Sequence, residues 1–518
     1  MSRFAPIVPL ALGALAALGF APWSLWSLTL ICVAGWLYLV HEAPSLRHAA
    51  AIGWLFGLGH FAVANLWIAA PFAFQDAMPF WLGYVGVVLI AAYLAIYPAL
   101  AAVIAWRLAS PLSRGDPAPR PGTAFVLVAG GAWVLTEYLR GTVLTGYPWD
   151  PLAVIWVPTR IVPVARAVGT YALSGLTVTG AGALLLLVWR RWRLAAAGAA
   201  TTIALLALTV HIPHQGDLHA RPVAVRVVQP NLAEEVRPTA HYADANFAAL
   251  AALAGRPGPV PRLLLWPEGA IRYPLEDGYP PYIYTQIGSA AVARQRMAAL
   301  LGDRDLILTG GQGLHFNRAE DMDAATNSIF AVGADARLHA RYDKAHLVPF
   351  GEYLPARPLL EGIGLSRLVP GDVDFLPGPG PRTLDLPEFG KVGMLICYEV
   401  IFSGEVVDRA VRPGFIFNPS NDAWFGAYGP PAHLAQARLR AVEEGLPIVR
   451  ATPTGISAII DANGRIVASV PLGKTGAAET MVPAPLPPTL FARLGNWMAG
   501  IVGGLLLILG VAIRRRAR

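Results

Sequence analysis

The sequence has few charged residues for its length. Only 14% of its 518 residues are charged and 55% are hydrophobic, whereas about 25% are charged in an ordinary globular domain. This composition excludes a disordered chain and argues against a wholly soluble one. Five of the 33 acidic residues precede His211, and the other 28 lie between Asp217 and Glu479. The chain therefore divides into a lipid-facing part and a water-facing part.

Cysteine and lysine are also rare. The two cysteines are Cys32, in an apolar run, and Cys397, in the polar part, so a disulfide framework is excluded. His339 and His346 have no nearby partner with the spacing of metal ligands and His433 stands alone, so we expect no metal and no other cofactor. The net charge of +7 comes from arginines beside apolar runs and at the C-terminus. This pattern indicates membrane orientation and gives no reason to expect a nucleic-acid partner.

The apolar runs predict a multi-span membrane domain. Each is long enough to cross about 30 Å of hydrocarbon as a helix. The first could instead be the core of a signal peptide, but only Arg3 precedes it, and a second run follows at once, which favours a span. The predicted spans are the eight runs 5–22, 24–41, 49–70, 79–106, 122–139, 167–189, 194–212 and 494–513.

Arginines in alternate loops predict the orientation of these spans. Both termini are expected in the cytoplasm, and the polar segment 213–493 in the periplasm or its equivalent. The predicted domains are thus 1–212 with seven spans, the polar domain 213–493, and 494–518 with the last span and a basic tail. The connection 140–166 is rich in aromatic residues, which favours an interfacial belt over a lipid entrance.

From Pro222 the pattern changes to short β-branched or apolar runs separated by turn signals, with helical stretches between them. Such alternation predicts an α/β or α+β layered domain. The long loop 353–381 combines many Pro and Gly residues with several leucines. Loops of this length tend to be functional, and this one is interpreted as a lid.

Three motifs in the polar part can carry chemistry. Glu268 follows an apolar strand, where it is either a surface turn residue or a general base with a raised pKa. Lys344 is one of only three lysines beside 37 arginines, and its compact ammonium suits a developing oxyanion. Cys397 is the only thiol outside the apolar runs and follows another strand, as either a small buried residue or a reactive nucleophile.

Together, Trp-Pro-Glu268, Tyr-Asp-Lys344 and Cys397-Tyr-Glu, in this order, resemble the Glu–Lys–Cys triad of the nitrilase superfamily. This likeness implies an α-β-β-α sandwich. With seven spans before the motifs and one after them, the chain resembles the apolipoprotein N-acyltransferases. The resemblance implies that Glu268 is the general base, that Lys344 stabilises the oxyanion, and that Cys397 is the nucleophile. Supporting or substrate-binding residues are expected at Glu352, Tyr398, Glu399, Trp424 and Trp149.

The resemblance also implies the reaction. A phospholipid would give its sn-1 acyl chain to Cys397 as a thioester, and the α-amine of a diacylglyceryl-cysteine on a bacterial apolipoprotein would accept it. The enzyme would act in the inner membrane, at the last step of lipoprotein maturation, as a monomer. Two alternatives stay open: a membrane-anchored amidase or nitrilase for a small exported substrate, and a non-catalytic membrane scaffold. Dependence on lipid and a lack of small-amide hydrolysis would separate the first reading from the amidase.

Overall fold

The computed structural model describes residues 6–74, 78–109, 121–188, 222–232, 240–362 and 373–516. Its N-terminal part is helical, as apolar runs without charges require in lipid, where each backbone polar group needs a partner. Small residues allow these helices to approach closely, because a Cβ at Gly13 or Gly59 would collide with a carbonyl oxygen of the facing helix. The helices are α1 Ile7–Ala16, α2 Trp26–His41, α3 Leu46–Ala64, α4 Leu82–Leu94, α5 Ile96–Ala109, α6 Thr123–Thr142 and α7 Ala165–Val188.

The predicted number of eight spans is not confirmed. Among the described residues, three helical segments are long and apolar enough to cross a membrane: Leu82–Ala109, Val162–Val188 and Trp497–Arg516. A fourth arises if Leu46–Ala64 and Leu66–Ala73, which are bent by 44° at their junction, form one span. The first two predicted spans correspond to shorter apolar helices, Ile7–Gly19 and Trp26–His41. The predicted span 194–212 lies outside the described residues.

The polar part contains two six-stranded mixed sheets, which confirms the layered α/β prediction. The first has the order β12-β1-β2-β3-β4-β5 and the second β11-β10-β9-β8-β7-β6, and each has three parallel strands at its centre. The strands are β1 Ala224–Gln229, β2 Arg262–Leu265, β3 Leu306–Phe316, β4 Met322–Gly333, β5 Leu338–Asp343, β6 Arg382–Leu386, β7 Gly390–Met394, β8 Phe415–Pro419, β9 Ile448–Ala451, β10 Ser457–Ile460, β11 Ile466–Val470 and β12 Gly476–Met481.

The main core lies between the two sheets, where alternate residues such as Val225 and Leu263 meet Val392 and Ile448. The opposite face of the first sheet packs against helices, because its central strands are apolar on both faces, as parallel strands require. The helix Gly429–Glu444 packs on the second sheet through Leu434, Ala437 and Ala441, so the layers are α-β-β-α. The remaining helices are α8 Ala240–Leu253, α9 Pro281–Ile287, α10 Ala290–Ala298, α11 Arg357–Glu361, α12 Gly429–Glu444, α13 Leu490–Leu494 and α14 Trp497–Arg516.

One buried carboxylate joins the membrane helices to the sandwich. Glu443 of α12 accepts hydrogen bonds from the backbone N–H of Thr170 in α7, at 2.5 Å, and from the hydroxyl of Ser403, at 3.0 Å. Arg440 pairs with the same carboxylate at 2.9 Å. A buried charge needs such partners. Since Ser403 lies six residues after Cys397, this contact links α7 to the segment that carries the thiol.

A second polar network holds the connection between α6 and α7. Arg140 pairs with Asp150 at 2.7 Å, and the Asn65 amide donates to the other carboxylate oxygen of Asp150 at 3.1 Å. The Tyr147 hydroxyl donates to Asn65 at 2.6 Å. These groups are largely buried, so the network is costly to break. It fixes the position of Trp149, which lies between Tyr147 and Asp150 in the chain.

Candidate active site

The structure brings Glu268, Lys344 and Cys397 together at one edge of the sandwich. Each lies one to three residues beyond the end of a strand, namely β2, β5 and β7. Nζ of Lys344 is 3.9 Å from Oε1 of Glu268, and the thiol of Cys397 lies close enough to Glu268 for the charge of that carboxylate to raise the pKa of the thiol. Three motifs that are far apart in the sequence therefore form one cluster.

Lys344 is held by a second carboxylate, that of Glu352. The two groups are 2.8 Å apart, and the lysine side chain is 1% exposed. Burial by itself lowers the pKa of Lys344, but the charges of Glu352 and Glu268 outweigh it and raise the pKa above its ordinary value. The ammonium is thus charged at neutral pH and can donate to an oxyanion.

Asn327 of β4 joins the two carboxylates. Its side-chain amide donates to Glu268 at 2.7 Å and to Glu352 at 2.8 Å. The backbone N–H of Asn421 donates to the other oxygen of Glu268 at 2.6 Å. These bonds fix the direction of the Glu268 carboxylate. Asn327 could not be identified from the sequence, because it belongs to no motif and reaches the site only through strand pairing.

The thiol of Cys397 is protonated at neutral pH in this environment. Burial raises its pKa well above the ordinary value and the Glu268 charge raises it further, while Lys344 and the backbone N–H of Asn421 act in the opposite direction. Cys397 also has a φ of +51°, in the left-handed region that non-glycine residues rarely adopt. Such strain costs about 1–3 kcal/mol and is often found at active sites.

Glu268 has the properties of a base that could take this proton. Its side chain is 11% exposed. Burial raises its pKa, Glu352 adds to the increase, and Lys344 partly opposes it. Because a general base works best when its pKa is near the operating pH, a raised carboxylate pKa favours this role over that of a surface turn residue.

Glu399 ties the lysine segment to the cysteine segment. Its carboxylate accepts hydrogen bonds of 2.6 to 3.1 Å from the Tyr342 hydroxyl and from the backbone N–H groups of Ala345, His346 and Ile396. Since Ala345 follows Lys344 and Ile396 precedes Cys397, Glu399 fixes the spacing of these two residues. None of these four hydrogen bonds involves the Cys397 thiol. Glu399 is therefore a positioning group in this structure.

The three predicted aromatic residues, Tyr398, Trp424 and Trp149, are buried or half-buried in the core of the sandwich. The Tyr398 hydroxyl lies 3.5 Å from the carbonyl oxygen of Gly146, and Trp424 is half-buried against the core of the sandwich. Trp149 is 2% exposed, and Trp156 is 6% exposed. The expectation of an interfacial belt is therefore wrong for both tryptophans, because a belt residue faces the lipid interface.

The Trp149 ring packs against the rings of Phe425 and His433, at centroid distances of 5.4 and 5.3 Å. Through Trp149, the N-terminal helical part of the chain is in contact with the residues around the cluster.

No group of three or more His, Cys, Asp or Glu residues suited to a metal ion occurs within the described ranges. The predicted lid 353–381 is described only in part, since 363–372 lie outside the described residues.

Comparisons with known proteins agree with this arrangement. Residues 12–183 match the family model of the apolipoprotein N-acyltransferase N-terminal domain, and residues 225–484 match that of carbon-nitrogen hydrolases. The chain is 33% identical to the apolipoprotein N-acyltransferase of Rhodopseudomonas palustris, over 98% of this chain and 95% of that one. It is 34% identical to the enzyme of the same name from Bradyrhizobium diazoefficiens, with the same coverage of both chains.

Among solved structures, the chain is similar to Nit3 of Saccharomyces cerevisiae, a member of branch 10 of the nitrilase superfamily. Sequence identity is 20%, the TM-score is 0.35, and the match covers 53% of this chain and 93% of that one. This structural similarity carries no argument about the family, which rests on the sequence matches above. With relatives above 30% identity over nearly its whole length, the chain belongs to the apolipoprotein N-acyltransferase family.

Proposed function

We propose that the chain transfers an acyl group from a phospholipid to the α-amine of the diacylglyceryl-cysteine of a bacterial apolipoprotein, through a thioester on Cys397. The observation that carries this proposal is the buried cluster of Glu268, Lys344 and Cys397 in a chain of this family. Acyl transfer through a thioester needs a nucleophile, a base and an oxyanion donor. The cluster contains a protonated thiol, a carboxylate with a raised pKa beside it, and a charged lysine within reach of both.

The first half-reaction forms the thioester. Glu268 accepts the proton of the Cys397 thiol, and the sulfur attacks the carbonyl carbon of the sn-1 ester. Lys344 donates a hydrogen bond to the resulting oxyanion. As the tetrahedral intermediate collapses, the bond from carbon to the glycerol oxygen breaks, and that oxygen takes the proton from Glu268. A lysophospholipid leaves.

The second half-reaction repeats these steps with a different nucleophile. The α-amine of the acceptor attacks the thioester carbonyl, and Glu268 accepts a proton from the attacking nitrogen. The carbon–sulfur bond breaks, the new amide forms, and the Cys397 sulfur regains its proton. Glu352 and Glu399 hold Lys344 and the two active segments in place through both steps.

A second candidate function is hydrolysis of a small amide or nitrile, since residues 225–484 match carbon-nitrogen hydrolases. The two functions differ in acceptor. We expect the purified full chain to convert a diacylglyceryl-cysteine peptide and phosphatidylethanolamine into an N-acylated peptide and a lysophospholipid, as measured by mass spectrometry. We expect no release of ammonia from short aliphatic amides. Amide hydrolysis without peptide acylation would support the amidase instead.

The surroundings of the site fit lipid substrates. Apolar helices surround the connection that carries Trp149, so the site adjoins the part of the chain that contains helices long and apolar enough to cross a membrane. We infer that residues 1–212 form a seven-span domain, that 213–493 form a periplasmic catalytic domain, and that 494–518 form an eighth span with a basic tail. The protein then works as a monomer in the inner membrane, with both termini in the cytoplasm.

This orientation predicts the behaviour of reporter fusions. Alkaline phosphatase, which is active only outside the cytoplasm, should give activity when it is fused after residue 240 and none when it is fused after Arg518. The physical reason is the excess of arginine in the loops assigned to the cytoplasm. A cytoplasmic reporter at the same two positions is the matched control and should give the opposite pattern. An active phosphatase only at Arg518 would contradict the orientation.

A further inference from the structure

His433 of α12 lies directly behind the nucleophile and is not used in the reaction described above. Its side chain is completely buried, and its Nε2 is 3.2 Å from the carbonyl oxygen of Cys397. We propose that His433 is a positioning residue whose ring N–H holds the backbone of Cys397, so that the sulfur points at Glu268. This inference rests on the proposed role of Cys397 as the acyl carrier.

The neighbours of the ring define which nitrogen carries the proton. Nδ1 lies 2.9 Å from Nη2 of Arg450 and 3.0 Å from Oδ1 of Asp422, and these two groups pair with each other at 2.6 Å. A guanidinium can only donate hydrogen bonds and a carbonyl oxygen can only accept them, so a neutral ring satisfies both Arg450 and Cys397 only when Nδ1 accepts from Arg450. Asp422 then accepts from Arg450. The proton of the neutral ring is then on Nε2, which donates to the carbonyl oxygen of Cys397.

The ring is neutral at physiological pH. Burial lowers the pKa of His433 to about 4, and the charge of Arg450 contributes in the same direction, although Asp422 opposes it. The N–H that reaches Cys397 is therefore present at neutral pH. It is a fixed hydrogen-bond donor and not a group that exchanges protons with the substrate.

The backbone of Cys397 needs such support. A non-glycine residue at a φ of +51° is strained and persists only where surrounding contacts hold it. The His433 donor comes from a different element, α12, and acts on the carbonyl of the strained residue itself. If that bond is lost, the peptide unit can rotate toward an ordinary conformation and carry the sulfur away from Glu268.

The ring is itself held by one residue of the N-terminal helical part, Trp149, and one residue of the polar domain, Phe425. Trp149 and Phe425 pack on it, with centroid distances of 5.3 and 5.4 Å. Gln436, about one turn further along α12, donates from its amide to the carbonyl oxygen of Trp149. A short series of contacts thus connects Trp149, His433 and the backbone of Cys397. Through these contacts, Trp149 of the N-terminal helical part supports the backbone of the nucleophile.

A matched pair of substitutions in the full-length protein tests this role. In His433→Gln the amide nitrogen can occupy the place of Nε2 and donate to Cys397, whereas in His433→Asn the shorter amide reaches only the place of Nδ1. We expect His433→Asn to slow acylation of Cys397 by phosphatidylethanolamine about 100-fold, as for a displaced reacting group. The lipid concentration at half-maximal rate should stay nearly unchanged, and His433→Gln should restore most of the rate.

Two controls separate positioning from loss of packing. Leu434→Ala removes a buried side chain from the same helix, and should lower thermal stability but leave acylation nearly intact. His433→Phe keeps a ring in place and removes both nitrogens, so it replaces His433→Asn in the comparison if that variant does not fold. Equal losses in the Gln and Asn variants, or a loss in Leu434→Ala as large as that in His433→Asn, would overturn the proposal.

A lipid-free measurement keeps this test independent of the proposed function. Glu268→Gln should slow alkylation of Cys397 by iodoacetamide in the wild-type background but have little further effect in the His433→Asn background, because the sulfur has already moved from the carboxylate. An undiminished effect of Glu268→Gln in that background would contradict the role of His433. If instead this coupling is found but phospholipid never acylates the wild-type protein, the proposed function fails and the positioning role stands.

Discussion

Glu268→Gln is expected to slow acylation of Cys397 by about 10²–10⁴-fold, the usual contribution of a general base. The effect should be large because burial raises the pKa of the Cys397 thiol, so that without a base almost no thiolate forms at neutral pH. The glutamine keeps the size of the side chain but cannot accept the proton. The measurement is the single-turnover rate of thioester formation from phosphatidylethanolamine.

The pH dependence of the same rate provides a second test. The rate should fall as pH decreases and Glu268 becomes protonated. Because its pKa is raised by burial and by Glu352, this decrease should occur above the ordinary glutamate value of about 4.3. Glu388→Gln, at an exposed site paired with Arg304, is the matched control and should behave as the wild type. An unchanged acidic limb in Glu268→Gln would exclude Glu268 as the base.

Lys344→Met is expected to remove both activity and stability. Loss of an oxyanion donor typically costs about 10²–10³-fold in rate. The lysine is 1% exposed and lies between Glu352 and Glu268, and removing one partner of a buried ion pair typically costs about 3–5 kcal/mol of unfolding free energy. Lys344→Arg should also fail, because a planar guanidinium is larger than an ammonium.

A double variant separates the two effects of Lys344. In Lys344→Met with Glu352→Gln, one uncompensated carboxylate is removed, so most of the lost stability should return. The acylation rate should not, because the oxyanion donor is still missing. Denaturation in detergent measures the first quantity and single-turnover acylation the second. Recovery of the rate together with the stability would reduce Lys344 to a structural residue.

Glu268 and Cys397 could be found from sequence because each follows an apolar strand in a short motif, and Lys344 because lysine is rare in this chain. The ends of strands that meet at one edge of a sandwich are close in space, so local patterns were enough to suggest Glu268, Lys344 and Cys397. Their roles stay predictions until the variants are measured. The resemblance to the family also anticipated the two-sheet sandwich, which periodicity alone left open between α/β and α+β.

The residues that support this cluster could not be found in the same way. Asn327 reaches the two carboxylates through the pairing of β4 with its neighbours, and His433 reaches Cys397 through the packing of a helix. Both contacts depend on tertiary structure. Trp149 was misjudged because a buried tryptophan and an interfacial one give the same local pattern. Hydropathy likewise counts apolar residues but does not reveal a bend such as the one after Ala64.

The most direct test of the acyl-carrier role of Cys397 is the intact mass of the wild-type protein after incubation with phosphatidylethanolamine and no acceptor. We expect the addition of one fatty-acyl group, mapped to Cys397 and released by hydroxylamine at neutral pH, as a thioester requires. Cys397→Ala should gain no mass and transfer no acyl chain to a diacylglyceryl-cysteine peptide. An acyl group on Cys32, or full transfer by Cys397→Ala, would contradict the mechanism.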